Sequence, residues 1–330
     1  MKIMLNDIQQ LTENTYRKAG YPEEQLPVIV DVLKYAQLRG NLQSLIQIAN
    51  GVPTYHAQGP VRIRKETSLS IVLNGNDNIG IWVMYKSMQQ VMRKAGLHGF
   101  AIAGSYKSAP PGTAAIGYYV RKLAEKGLIA FAFSGSGKIV APHGGMQRLF
   151  GTNPIAVGLP VKDSPIVIDM ATSSLPLFQV MATKIQHQLL PQGAAFDHLG
   201  QPTQDPEMVL QNGTLTTFAA HPKSSALSFL VEVLTGPLVG AAFATSNNAQ
   251  TNWGNLIYAY DPELLSTRKF FMKQMEQLQH MIKSSEPLPG FDEIFLPGEQ
   301  AEKQASETLA RGWLEVPDWL GAILNFNESI

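Results

Sequence analysis

The chain lacks cysteine altogether: none of its 330 residues is a cysteine. This absence excludes thiolate nucleophiles, iron–sulfur ligation, cysteine zinc sites and disulfide frameworks. The 7 histidines also show no i, i+4 pair or other spacing typical of metal ligands. The sequence therefore predicts no metal site, and its chemistry must rely on oxygen, nitrogen or a bound cofactor.

Charge is scarce as well. The 26 basic and 26 acidic residues cancel, and charged residues make up 16% of the chain, against roughly 25% in an average soluble domain. A net charge of zero argues against a broad polyanion-binding surface, so we expect neither nucleic acid nor a membrane surface as a partner. The low charge content fits a chain that buries part of its surface in an oligomer.

The sequence has no long uninterrupted apolar run. Its longest candidate, Leu227 to Ala244, contains Glu232, Gly236 and Pro237, whereas a membrane helix needs about 20 mostly apolar residues. The segment Met1 to Asp7 lacks the apolar region of a secretory signal. The sequence therefore predicts a cytoplasmic protein.

An α/β pattern runs through the first third of the chain. Apolar residues recur at helical spacing over residues 4–50, which predicts packed helices. Strand-like runs at residues 69–73 and 99–103 flank a helical pattern from Ile81 to Lys94, with the Asn-rich residues 74–78 as the predicted turn.

The same alternation continues to the end of the chain, where short apolar runs are separated by Gly-, Pro- and Ser-rich loops. We predict an α/β fold with much of its site on loops. The predicted helices span residues 116–126, 227–234, 262–284 and 299–312, and the predicted strands span residues 128–133, 155–159 and 165–168.

The segment Ser134-Gly135-Ser136-Gly137-Lys138 is a glycine-rich turn of the kind that can cradle phosphate oxygens. A Walker loop would need glycine in place of Ala132, and a Rossmann fingerprint would need glycine in place of Val140. The spacing therefore excludes both common nucleotide-binding fingerprints, and the pattern alone predicts a turn.

Several motifs occur together in a fixed order, and they extend over nearly the whole chain. They are Leu38-Arg39-Gly40, Gly117-Tyr118-Tyr119, Pro142-His143-Gly144-Gly145, Gly151-Thr152-Asn153-Pro154, Asp169-Met170-Ala171-Thr172-Ser173, Pro202-Thr203-Gln204-Asp205-Pro206 and Pro297-Gly298-Glu299. In this order and at this spacing they resemble the malate/L-lactate dehydrogenase family, which includes ureidoglycolate, sulfolactate and piperideine-carboxylate oxidoreductases.

The resemblance implies a two-lobed α/β protein that forms a homodimer. Its mixed-sheet, non-Rossmann cofactor domain would span residues 121–264, and a helical substrate-side domain would combine residues 1–120 with residues 265–330. The family transfers hydride between NAD or NADP and a small acid: a 2-hydroxy acid, a 2-keto acid or a cyclic imino acid.

The resemblance also implies which residues contact the cofactor. Hydroxyls and backbone amides suit ribose and pyrophosphate oxygens, and a lysine supplies a cation. A structural interpretation of the segment from Asp169 to Ser173, as a strand end followed by a helix cap, stays open beside the functional one. The implied cofactor contacts are Ser136, Asp169, Met170, Ala171, Lys223, Pro297, Gly298 and Glu299.

The positions of the family's chemistry are occupied by different residue types. The Ser, His and Arg of its first signature fall on Gln43, Ser44 and Ile48, and the His that exchanges a proton with the substrate falls on Gly112. Loss of a proton-transfer group lowers turnover by about 10²–10⁴-fold. We therefore expect weak or altered oxidoreductase activity.

Three interpretations remain open at this stage. One is an oxidoreductase with a relocated acid/base, for which His143, Tyr106, Lys107 and Tyr118 are candidates by residue type. Another is a non-catalytic relative that binds a dinucleotide or a small acid and acts as a regulatory module. The last is a dimeric scaffold that keeps only the fold.

Overall fold

The computed structural model describes residues 1–246 and 252–324. Its helices are α1 (Leu5–Lys18), α2 (Leu26–Leu38), α3 (Gln43–Ala49), α4 (Gly80–His98), α5 (Gly117–Ala124), α6 (Leu177–Ile185), α7 (Pro206–Gln211), α8 (Pro222–Thr235), α9 (Arg268–Lys283), α10 (Glu299–Arg311) and α11 (Asp318–Ile323). Its strands are β1 (Lys2–Met4), β2 (Arg62–Glu66), β3 (Ser70–Ile79), β4 (Phe100–Ala109), β5 (Ile129–Ser134), β6 (Ile155–Leu159), β7 (Ile166–Met170), β8 (Ala195–Phe196), β9 (Thr214–Leu215), β10 (Trp253–Tyr260) and β11 (Trp313–Glu315).

A 7-stranded mixed sheet organises the molecule, with strand order β2-β3-β4-β10-β5-β6-β7. Strands β3 and β4 run parallel and are joined by α4, whereas the other neighbours are antiparallel. Strand β7 forms one edge of this sheet. The predicted mixed-sheet α/β fold is confirmed.

Both faces of the sheet are covered, and the alternation along β5 explains why. Ala130 and Ala132 face the cluster formed with α2, α4 and α5, while Phe131 and Phe133 face α8 through Val231. Side chains that alternate in this way point to opposite faces of a strand. The small alanines allow the helices on one face to approach closely, and the aromatic rings fill the other face.

A separate apolar cluster joins the two ends of the described chain. Strands β1 and β11 pair antiparallel, and Ile3, Leu45, Leu314 and Leu320 pack together beneath them. This cluster holds α3 in place. The same cluster therefore forms part of the surroundings of Gln43, Ser44 and Ile48, the positions of the family's first signature.

Two predictions of secondary structure are wrong in detail. The predicted turn at residues 74–78 lies inside β3, where Asn76 (φ 47°) and Asp77 (φ 59°) are left-handed and the register against β4 shifts. Asn and Asp tolerate that conformation, so they form an irregularity within the strand as well as turns. The predicted helix over residues 262–284 begins only at Arg268, because a short 3-10 turn precedes it and the Thr267 hydroxyl caps it.

The predicted domain boundary between residues 120 and 121 lies inside α5. Strand β10 pairs with β4 on one side and β5 on the other, so the sheet contains strands from both predicted segments. The division of the chain into domains stays a prediction. No helix of the described residues is long and apolar enough to cross a membrane.

Candidate functional site

A cavity of about 960 Å³ opens beside β7. Asp169 of β7 lines it together with residues 297–299, which lead into α10. These residues are far apart in sequence but meet at the edge of the sheet. Charged side chains of both signs complete the lining of this first cavity: the cations Arg39, Lys162, Lys269 and Lys273, and, besides Asp169 and Glu299, the carboxylates Asp163, Glu276 and Glu302.

Asp169 is held against the first residue of α5. Its Oδ2 accepts the backbone N–H of Gly117 at 2.8 Å. The surrounding protein atoms desolvate the carboxyl and raise the pKa of Asp169 to about 6, while the Gly117 bond opposes this increase. Part of the side chain nevertheless opens into the cavity, where its oxygens can accept hydrogen bonds.

Gly298 allows the following loop to lie directly against β7. Its φ is 76°, and a Cβ at this position would collide with the carbonyl oxygen of Val167. Only glycine meets both requirements without strain. The adjoining Glu299 accepts the Leu296 N–H at 2.7 Å and pairs with Lys283 at 2.8 Å, which fixes the loop beside Asp169.

A shared carboxylate supports the wall of the first cavity. Glu302 of α10 accepts hydrogen bonds from Arg39 at 2.5 Å and from Arg121 at 2.7 Å. Partial burial opposes ionisation, but the two guanidinium groups lower the pKa of Glu302 below its ordinary value. The Glu302 carboxylate therefore links α10 to α5 and to the end of α2.

Ser136 belongs to a different hydrogen-bonded network, at the end of β7 rather than in the first cavity. Its Oγ accepts the Thr152 N–H at 2.9 Å, and the Thr172 N–H donates to the Thr152 carbonyl at 2.9 Å. Ser228 of α8 donates to the Thr172 hydroxyl at 2.8 Å. The glycine-rich turn, the segment after β7 and helix α8 are thereby joined.

The predicted cofactor contacts thus fall into two groups. Asp169 and residues 297–299 line the first cavity, whereas the described lining does not contain Ser136, Met170, Ala171 or Lys223. Lys223 is exposed in the first turn of α8, where its N–H donates to His221 Nδ1 at 3.1 Å. These assignments stay predictions.

The lining of the first cavity offers two kinds of contact that a dinucleotide uses. A carboxylate such as Asp169 accepts hydrogen bonds from ribose hydroxyls, and lysine or arginine side chains suit pyrophosphate oxygens. Among the residues that the structure describes, no cluster of three or more His, Asp or Glu side chains could hold a metal ion.

Helix α3 carries no ionisable side chain at the first signature's positions. The Ser44 hydroxyl is buried and accepts a hydrogen bond from Gln37 Nε2 at 2.7 Å. Ile48 packs against the apolar cluster of the chain ends, and the N–H of Gln43 donates to Asn41 Oδ1 at 3.0 Å. The surroundings of α3 therefore suit neutral groups.

Gly112 lies beside a second cavity of about 890 Å³. Its φ is 96°, and a Cβ there would lie 3.3 Å from the ring of Trp253. Trp253 lines this cavity together with Pro110 and Gly137. A histidine, a carboxylate and two cations also line the second cavity: His56, Asp77, Lys138 and Arg148.

His56 lines the second cavity, although it belongs to none of the sequence motifs. It lies in the loop before β2, and this loop is attached to β3: Tyr55 Oη donates to Asn78 Oδ1 at 3.1 Å, and Asn78 Nδ2 donates to the Gly59 carbonyl at 2.7 Å. A single histidine in an irregular segment carries no motif. Only the packing of the loop onto β3 brings it to the cavity beside Gly112.

The candidates chosen by residue type lie elsewhere. Tyr118 donates to Asp31 at 2.6 Å, and burial, followed by Asp31, raises its pKa well above the ordinary tyrosine value. His143 is exposed on a turn, and its backbone N–H donates to the hydroxyl oxygen of Ser225. Neither cavity's described lining contains these residues, Tyr106 or Lys107.

Comparison with known proteins agrees with this architecture. A family model described as malate/L-lactate dehydrogenase matches residues 3–324, and the chain belongs to that family. An L-sulfolactate dehydrogenase of Methanothermobacter thermautotrophicus is 30% identical over 94% of this chain and 92% of that protein.

Two further relatives extend the comparison. A delta(1)-pyrroline-2-carboxylate/delta(1)-piperideine-2-carboxylate reductase of Pseudomonas syringae pv. tomato is 36% identical over 67% of this chain and 63% of that protein. The solved structure of a malate dehydrogenase from Pyrococcus horikoshii superposes with a TM-score of 0.82 at 26% identity, covering 98% of this chain and 96% of that chain.

Proposed function

We propose that this protein is an NAD(P)-linked oxidoreductase that transfers hydride to or from a 2-hydroxy, 2-keto or cyclic imino acid, with weak or altered turnover. The observation that carries the proposal is the meeting of Asp169 and residues 297–299 at one cavity on the edge of the sheet. The names of the relatives, which act on sulfolactate, malate and cyclic imino acids, support the substrate class.

Different residues of the chain would bind different parts of the cofactor. The Asp169 carboxylate would accept hydrogen bonds from ribose hydroxyls, since its oxygens open into the cavity. Lys162, Lys269 and Lys273 of the same lining would neutralise phosphate charge. A bound nicotinamide would supply or accept the hydride.

Proton transfer requires a group beside the substrate. His56 is the histidine that lines the second cavity within the described residues, next to Gly112. We assign to His56 the proton that moves to or from the substrate oxygen or nitrogen. Turnover would be weak or altered because neither α3 nor Gly112 offers a second ionisable group to orient the substrate.

The environment of α3 favours a second candidate function. Since the Ser44 hydroxyl is engaged by Gln37 and Ile48 is packed in an apolar cluster, the chain could bind a dinucleotide or a small acid without turning it over, as a regulatory module. A non-catalytic chain could also act as a dimeric scaffold that keeps only the fold.

We also propose the homodimer, the cytoplasmic location and the division into domains at residues 121 and 264.

The test is a fluorescence titration with NADH and NADPH, followed by turnover assays with a panel of 2-keto and cyclic imino acids. Turnover would support the oxidoreductase, whereas cofactor binding without turnover would support the regulatory module. Absence of both would support the scaffold. Asp169→Ala should weaken cofactor binding, and Asp7→Asn, on α1, is the matched control.

A further inference from the structure

The second cavity carries an excess of positive charge. Lys138, Arg148 and Asp77 line it, and within the described residues none of the three forms an ion pair. Two cations face one carboxylate, so one positive charge is left without a counterion. A ligand with a single carboxylate would balance it.

Arg148 is held in place by neutral groups. Its Nε donates to the Gly213 carbonyl and its Nη2 to the Val209 carbonyl, both at 2.6 Å. Burial lowers the pKa of Arg148 from its ordinary value, as expected for a cation that is removed from water without a partner of opposite charge. Arg148 therefore adds a fixed positive potential to the cavity wall.

Lys138 supplies a movable cation at the same wall. It is exposed, and the next residue is fixed because the Ile139 N–H donates to the Phe150 carbonyl at 2.9 Å. The preceding turn is fixed by the bond between Ser136 and Thr152. The backbone of Lys138 is thus anchored on both sides, while its four-carbon stem is free to reach a ligand.

Trp253, in the wall of the same cavity, carries a donor without a partner. Trp253 lines the cavity, and its buried indole Nε1 has no hydrogen-bond partner in the part of the chain that the structure describes. Buried donors without partners are rare in folded proteins.

Building on the proposed function, we propose that the second cavity binds the carboxylate of a small 2-keto or imino monocarboxylate through Lys138, with Arg148 supplying additional positive potential. Lys138 would then supply the positive charge that is missing at Ile48, the position of the family's arginine. The site differs in position from α3, which has only neutral groups at the signature positions.

The experiment is calorimetric titration of the full chain with oxamate, a monoanion with an oxygen beside its carboxylate, with and without saturating NADH. We expect Lys138→Ala to weaken oxamate binding about tenfold, as loss of one charge-assisted hydrogen bond predicts. Lys138→Arg should retain most of the affinity. Lys126→Ala, which removes an exposed lysine of the α5 end, should bind as the parent does.

Acetamide, which is neutral, should not bind. Equal oxamate affinity in the parent and Lys138→Ala would overturn the proposal, as would absence of oxamate binding with or without NADH, or equally tight Lys138-dependent binding of inorganic phosphate. Lys138-dependent oxamate binding without NADH binding would support this site and count against the oxidoreductase. NADH binding without oxamate binding would count against this site and leave the oxidoreductase supported.

Discussion

The edge of the sheet at β7 and the surface around α3 differ in what they offer a ligand. At β7 several carboxylates, a glycine loop and several cations surround one cavity. At α3 a buried hydroxyl is already bonded to a glutamine, and an isoleucine packs in an apolar cluster. The groups that could hold a cofactor at β7 are therefore physically separate from the α3 positions on which the family's first signature falls, and the two regions can change independently.

The largest expected effect comes from restoring the family residues. We expect the combined variant Ser44→His, Ile48→Arg and Gly112→His to lose about 4 kcal/mol or more of unfolding free energy, because it adds strain at a positive φ, overpacks a buried site and places a charge against an apolar cluster. Thermal and urea unfolding would measure the loss.

A control separates strain from crowding in that variant. Gly51→His has a similar positive φ, 87°, but nothing within 4 Å of its Cβ, so it should lose less stability than Gly112→His, whose Cβ would meet Trp253. A combined variant as stable as the parent would show that α3 and Gly112 tolerate the family residues after all.

The next effect concerns proton transfer. His56→Gln should lower kcat by about 10²-fold or more, since loss of a general acid or base typically has this size. KM should change little, because Lys138 rather than His56 is proposed to bind the substrate carboxylate. His98→Gln, at the exposed end of α4, is the control, and unchanged kcat in His56→Gln would remove His56 from the mechanism.

A smaller effect concerns the wall of the first cavity. Glu302→Gln leaves Arg39 and Arg121 without their shared carboxylate, and we expect a loss of about 1–2 kcal/mol of unfolding free energy because the site is only partly buried. Glu307→Gln, exposed on the same helix, should stay near the parent. Equal stability of the two variants would contradict the role assigned to Glu302.

The smallest effect is a pH dependence at Asp169. Because its folded pKa is raised to about 6, the unfolded chain holds fewer protons there between about pH 4 and 6. The contribution of Asp169 to stability is therefore present at low pH and lost as pH rises through about 6. Asp169→Asn, which can still accept the Gly117 N–H, should remove this component from the difference in unfolding free energy between pH 4.5 and 7.5.

The outcome for Asp169→Asn has a clear alternative. If the variant and the parent change in stability by the same amount over that pH interval, the carboxyl of Asp169 titrates in the folded protein as it does in the unfolded chain. The comparison should be made at constant ionic strength, since salt screens the nearby cations.

Local patterns predicted much of the fold. The apolar runs of β5 and α4 and the glycines after helices mark elements that form whatever surrounds them. The irregular part of β3 could not be predicted, because Asn76 and Asp77 favour turns and strand irregularities alike. The pairing of Asn74 and Asn78 with β4, on either side of these two residues, keeps the segment within the strand.

The candidate site divides in the same way. The family motifs pointed to Asp169 and to residues 297–299, but their contact depends on the chain folding back against β7. His56 and Arg148 belong to no motif, and Lys138 belongs only to the glycine-rich turn. His56 reaches the cavity that they line because the loop before β2 packs on β3. Such proximity arises from tertiary structure and leaves no periodic signal.

The approach of Gly298 to Val167 has a further consequence for solubility. β7 is an edge strand, and an uncovered edge offers unpaired backbone groups to another chain. The loop that borders the first cavity also lies over part of this edge. A side chain at position 298 would push the loop away, so damage to a ligand site and exposure of an aggregation-prone edge would arise from the same single change.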